Sequence, residues 1–453
     1  MSRSFAAVAA SAFVAVVLVG CSDDSAPDAV LVDATDVDAR DVDAPDGEAA
    51  PGQPPISQDG KLRLTPEQCV VAARKMRAEK NFAPAIRILT AATQANPTLA
   101  AAYVERAGIL AQSGAFPQAV ADMNRAIELE PGRAALFNTR GYYHLQQRTF
   151  PAALADFNAA IKADPEFAAA FNNRGLVRVA VEQFEEAIGD FDAAVAIQAD
   201  YWDAINNRGF TRIQTEQFEQ AIADFTIVVQ AQPDYVNAWN NRGLAKLRSD
   251  RAADAVADFT KAVELAPGVF KHYLHRAQAY KQSGQAGKAQ LDITRVVWLQ
   301  KLAKLNEGVA TNGESIAPLL ARSKHYTAAG QLTAALKDCD AALKLVPKSP
   351  EAMTAMARVL AAAGKTADAT KLCEAALAEG PLNETYSVRG DLRAAAGDLD
   401  GAIADYQAAK RFDAAVANVY VRRANRFREA GNIEQASADM RQAAAMDSSI
   451  HLQ

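Results

Sequence analysis

The sequence predicts an all-α protein built from repeated helical hairpins, and three observations carry that expectation. The tetrapeptide Asn-Asn-Arg-Gly recurs at 172–175, 206–209 and 240–243, each copy 34 residues after the last. Aligned on its glycine, Ala73, Ala107, Gly141, Gly175, Gly209, Gly243, Ala277, Ser323, Ala357, Gly390 and Ala424 share one helical position, and an alanine follows twelve residues later in all eleven copies. Small residues at both points let two antiparallel helices approach closely. A bulky residue comes four further on in most copies (Phe157, Phe191, Phe225, Phe259, Tyr406), and prolines such as Pro97, Pro131, Pro165, Pro233 and Pro267 end the second helix.

Taken in order, residues 1–21 carry one positive charge and then an uncharged run from Phe5 to Val19. That run is shorter than the ~20 apolar residues of a membrane span and reads as an export signal. Its end, Leu18-Val19-Gly20-Cys21, resembles the bacterial lipobox. The resemblance implies that Cys21 takes a diacylglyceryl group and becomes the new N-terminus. Ser22 after it implies an outer-membrane destination where the cell has two membranes. Residues 22–60 hold ten Asp, one Glu and one Arg, a net −10 against −6 for the whole chain. Without an apolar period this stretch is expected to be an acidic disordered linker, roughly 35 Å across as a flexible coil. Its Asp residues lack the Gly and the closing Glu of a calcium loop. No strongly basic region marks a nucleic-acid binder.

From Thr65 onward the period, with its small, aromatic and proline positions, resembles the tetratricopeptide-repeat (TPR) family. The resemblance implies a right-handed solenoid of about eleven repeats with a concave groove: repeats one to seven over 66–303, an insert or loop over 304–315, repeats eight to eleven over 316–450. Thr65-Pro66-Glu67-Gln68 predicts a capped start for the first helix. Repeat seven has Lys301 in place of the terminal proline. Its second helix is expected to run to about Asn306 before a Gly-containing loop, with a change of superhelical direction near 304–315. The last helix face is alanine-rich, so it is expected either to be tolerated exposed or to be covered by a partner.

If the aligned glycine is position 8, position 7 on the first helix is arginine in nine repeats: Arg106, Arg140, Arg174, Arg208, Arg242, Arg276, Arg322, Arg389 and Arg423. Position 23 on the second helix is aspartate in the same nine: Asp122, Asp156, Asp190, Asp224, Asp258, Asp292, Asp338, Asp405 and Asp439. The other two repeats are apolar at both places, Ala72 with Ile88 and Met356 with Leu372. The pattern predicts an ion pair across each hairpin, since an unpaired charge there is costly. Replacing both members can be nearly neutral, whereas breaking one half costs about 3–5 kcal/mol. Nine identical copies argue for architecture rather than catalysis.

In the family, positions 5 and 6 of the first helix face the groove. Here they are Asn138, Asn172, Asn206 and Asn240, and Asn173, Asn207 and Asn241. Position 9 in the same repeats is apolar: Tyr142, Leu176, Phe210 and Leu244. An amide carries donors and an acceptor, so this ladder could grip an extended backbone; it could equally bond between neighbouring helices.

Histidines 144, 272, 275, 325 and 451 are scattered, and His272 with His275 lacks a third ligand nearby in sequence. Cys69, Cys339 and Cys373 read as core residues, because equivalent points on successive repeats lie beyond the ~7 Å of a disulfide. The sequence therefore predicts no metal, no cofactor and no enzyme. It predicts a scaffold lipid-anchored in the bacterial cell envelope, holding extended segments of other envelope proteins. Two other readings stand beside this one: a substrate-recruiting arm for an enzyme on a separate chain, as in the TPR region of protein O-glycosyltransferases, and a homo-oligomer joined through the last repeat.

Overall fold

A computed structural model describes residues 64–450; Cys21, the 1–21 leader, the linker over 22–60 and His451 lie outside them. Among the described residues the elements are 22 α-helices and no strand, from Pro66–Ala78 to Ile433–Met446. They form eleven consecutive hairpins in two compact units divided between Asp292 and Ile293. In the ten hairpins that lie within one unit the first helix (A) packs on the second (B).

The first helix, α1 (Pro66–Ala78), opens with Thr65 accepting from the Gln68 N–H while the Gln68 side chain accepts from the Thr65 N–H. Every A–B turn then closes in one way. The residue seven after the aligned position has positive φ: Lys80, Gly114, Arg148, Glu182, Glu216, Asp250, Gly284, Gly330, Gly364, Gly397 and Gly431. The next N–H bonds back five residues, as Gln217 to Arg212 at 2.8 Å and Gln331 to Tyr326 at 2.9 Å. This is the Schellman closure, which satisfies carbonyls left open at a helix end.

The small positions carry the close packing. Ala85, Ala119, Ala153, Ala187, Ala221 and Ala255 are completely buried. Position 24 on helix B supplies the largest fully buried side chains, Phe157, Phe191, Phe225 and Phe259. Each ring lies against the backbone of the position-8 glycine of its own hairpin.

One boundary differs from the expectation. The second helix of repeat seven runs from Ala286 to Thr311, so most of the expected 304–315 loop is helical and Gly308 lies inside the helix. Without a proline the i→i−4 ladder continues, and glycine alone costs a helix only about 1 kcal/mol. The helix stops at Asn312, whose side-chain amide and backbone N–H both donate to the Gly308 carbonyl. Ser315 then caps the next helix, Ile316–Ala328.

Candidate functional site

All nine position-7 arginines meet the aspartate sixteen residues on. In each, Nε and Nη2 donate to the carboxylate oxygens at 2.5–3.2 Å. This two-point geometry is the strong form of a carboxylate pair. In all but Arg389 the remaining Nη1 reaches the preceding repeat, as Arg140 to Asn124 at 2.7 Å, Arg174 to Asn158 at 2.6 Å and Arg208 to Asp192 at 2.8 Å. The arginine thus joins three helices, the third of which lies outside its own hairpin. Four aspartates accept a second cation from helix A, as Asp224 does from Arg212 at 2.6 Å. In the two repeats without the pair, Ala72 packs against the apolar cluster that holds Ile88, whereas Met356 and Leu372 pack against two different apolar clusters.

Within the first unit, the seven ladder asparagines with Tyr142, Leu176, Phe210 and Leu244 line one groove of about 1580 Å³. The ladder itself is bonded from repeat to repeat. Asn173 Nδ2 donates to Asn138 Oδ1 at 3.0 Å, Asn207 to Asn172 at 3.1 Å and Asn241 to Asn206 at 3.2 Å. Position 5 is therefore the acceptor of an inter-repeat strut, and Asn138, Asn172 and Asn206 are buried on the groove floor rather than presented to its opening. Position 6 is half-buried. Having two N–H donors and a carbonyl, each of its amides keeps capacity beyond the strut.

The strut continues beyond the asparagines. In repeat seven the position-6 residue is His275, whose Nδ1 lies 2.8 Å from Asn240 Oδ1, with His272 Nδ1 at 3.2 Å from the same oxygen. Burial, with the nearby Lys271 charge, pushes both imidazoles down to about 4, so they are neutral near pH 7. In repeat two it is Glu105, fully buried and held by Arg74 and Arg77 of repeat one at 3.2 Å each. Position 6 thus looks back to the previous A helix in repeats two and four to seven, through three different chemistries, whereas Thr139 of repeat three bonds the Ala135 carbonyl of its own helix.

The groove also contains residues the sequence reading did not single out. Phe167, Tyr201 and Tyr235 each stand immediately before an A helix, and Trp202 and Phe270 are the first residues of A helices. Their signal was present as an aromatic at position 34, hidden because that position falls in the connecting turn. Elsewhere, Cys69, Cys339 and Cys373 are free and buried, and burial drives the thiols of Cys69 and Cys373 up to about 11. His144 and His325 bond locally, to Thr149 and to the Trp298 carbonyl. No group of three or more His, Cys, Asp or Glu among the described residues is placed to hold a metal ion.

A tetratricopeptide-repeat family model matches residues 138–201 and 211–269, and a second such model matches 326–390. The chain belongs to the tetratricopeptide-repeat family. TPR repeats support a protein–protein interaction scaffold. Comparison with curated proteins gives no match. Solved structures of similar fold include a TPR protein from Parabacteroides merdae (18% identity, 52% of this chain and 93% of that one, TM-score 0.44). PilW, a widely conserved type IV pilus biogenesis factor, is 21% identical over 44% of this chain and 92% of that one, TM-score 0.41. YrrB, a TPR protein with an unusual peptide-binding site, is 23% identical over 40% and 92%, TM-score 0.34. At these identities and TM-scores the likeness speaks for neither ligand nor partner.

Proposed function

We propose that this TPR protein is a non-enzymatic scaffold, tethered to the cell envelope through Cys21, that holds an extended segment of another envelope protein in the groove of repeats three to seven. The observation that carries this reading is the coincidence, in one concavity, of the half-buried amides of repeats four to six with the apolar row Tyr142, Leu176, Phe210 and Leu244. The amides can pair with backbone groups irrespective of sequence, and the apolar row takes side chains. Because the struts hold the amides in place, little ordering is required on binding. Cys21 and the acidic linker supply the tether by resemblance and composition.

The test places a photocrosslinking amino acid at Leu176 or Phe210, and at the exposed helix-B residue Asp254 as control, in cells of the source type. Adducts with another envelope protein at the two groove positions and none at Asp254 are expected. Adducts confined to Asp254 would overturn the groove reading.

A further inference from the structure

The occupant's chemistry is written on one side of the groove, and the inference rests on the groove reading above. Position 34 is Phe167, Tyr201 and Tyr235 in three successive repeats, and position 33 is Glu166, Asp200 and Asp234. All six line the groove. The rings are half-buried against the A helices, while the three carboxylates are exposed. Among the described residues those carboxylates enter no ion pair. Asp203 differs, since it accepts the Tyr235 hydroxyl. The lining bases Arg248 and Lys271 stand apart, in repeats six and seven.

Spacing then selects the conformation of the bound chain. Consecutive A helices touch through the asparagine struts, so each row advances by one helix spacing, about 8–10 Å per repeat. A β-strand presents same-face side chains about every 6.6–6.8 Å and drifts out of step within two repeats. A polyproline II helix repeats every three residues at about 3.1 Å each, roughly 9.3 Å, and stays in step across all three. Such a chain binds aromatic-lined grooves at low entropic cost because it is already extended. Uncompensated carboxylates at the same period call for a cation at every third residue.

We infer that the groove recognises a proline-containing, cationic segment in polyproline II conformation, its Lys or Arg residues three apart meeting Glu166, Asp200 and Asp234 while its proline rings lie on Phe167, Tyr201 and Tyr235. The basic residues belong at repeats three to five, because Arg248 and Lys271 would repel them further along.

Fluorescence anisotropy with the full chain in detergent tests this. The probes are labelled (Pro-Pro-Arg)4, (Pro-Pro-Glu)4 and a peptide of the first composition with its four arginines contiguous. The first should bind at least about tenfold more tightly than either other, and the double substitution Asp200→Lys, Asp234→Lys should remove about that advantage. Both positions are exposed, and circular dichroism checks that the helices survive. Equal binding of the glutamate peptide or of the contiguous-arginine peptide overturns the inference. So does an unchanged affinity in the double variant, or no binding of any peptide. Crosslinks at Leu176 and Phe210 in the same preparations separate the two readings. If they persist while the peptide preference fails, only the chemical class of the occupant falls; if they too are absent, the groove reading falls with it.

Discussion

Phe225 fills the space that a side chain on Gly209 would need: a Cβ there would lie 2.9 Å from the ring Cζ and 3.0 Å from Cε1. The same holds for Gly141 with Phe157, Gly175 with Phe191, Gly243 with Phe259 and Gly390 with Tyr406. Where position 8 carries a Cβ, position 24 is smaller or unbranched, as in Ala107 with Met123 and Ala357 with Cys373. The two positions divide one volume.

Gly209→Ala should therefore destabilise despite its better helix propensity. Overpacking costs about 1–3 kcal/mol against a propensity gain of about 1 kcal/mol. Adding Phe225→Met, the combination of repeat two, should recover most of the loss in urea unfolding. A single variant as stable as the parent would show that the ring moves aside freely.

The ion pair is best tested at Arg322 and Asp338, because among the described residues Asp338 has no second cation of the kind Arg212 gives Asp224. Arg322→Met alone should cost about 3–5 kcal/mol by leaving a buried carboxylate, and adding Asp338→Leu should return much of it. Recovery will be incomplete, since Arg322 also donates to Asn306 at 2.9 Å. A double variant as unstable as the summed singles would show that the pair is not what couples these positions.

His272 and His275 make stability depend on pH. Burial lowers both from 6.5 to about 4, so between those values the unfolded chain binds protons that the folded chain does not. Stability should be full above pH 6.5 and fall as pH drops towards 4, by at most about 1.4 kcal/mol per pH unit for each histidine. The variant His272→Gln, His275→Asn should flatten the profile between pH 6.5 and 5, above the carboxylate range. Identical profiles for variant and parent would rule the histidines out.

Glu216 sits at φ 59° in a turn where six other repeats use glycine. Left-handed backbone costs an L-residue about 1–2 kcal/mol, partly offset by glycine's greater unfolded entropy. Glu216→Gly should raise the urea midpoint by the equivalent of about 0.5–1 kcal/mol, and Gly114→Ala, at φ 80°, should lower it.

Cys21→Ala should release the protein from membranes, since among the described residues no helix is long and apolar enough to cross one. Lipid anchoring is read by carbonate washing and by labelled fatty-acid incorporation at Cys21. Retention of the variant in the washed membrane fraction would refute the anchor.

What the sequence determined by itself is the hairpin. Period, small positions, terminal prolines and the joint change of positions 7 and 23 all act within about 34 residues, so each leaves its trace in one repeat. The turn glycines were equally local, yet five non-glycine copies, Lys80 among them, hid the shared left-handed position. Relations between repeats were decided only by the tertiary structure. That Asn173 reaches Asn138, that His275 takes over the strut, and that Arg208 reaches Asp192 depend on how far apart successive helices stack. Stacking distance is set by the summed volumes of many buried side chains, and no single residue states it. The same reason hid the groove: its asparagines could be counted along the chain, but which amide groups the neighbouring helix would consume could not.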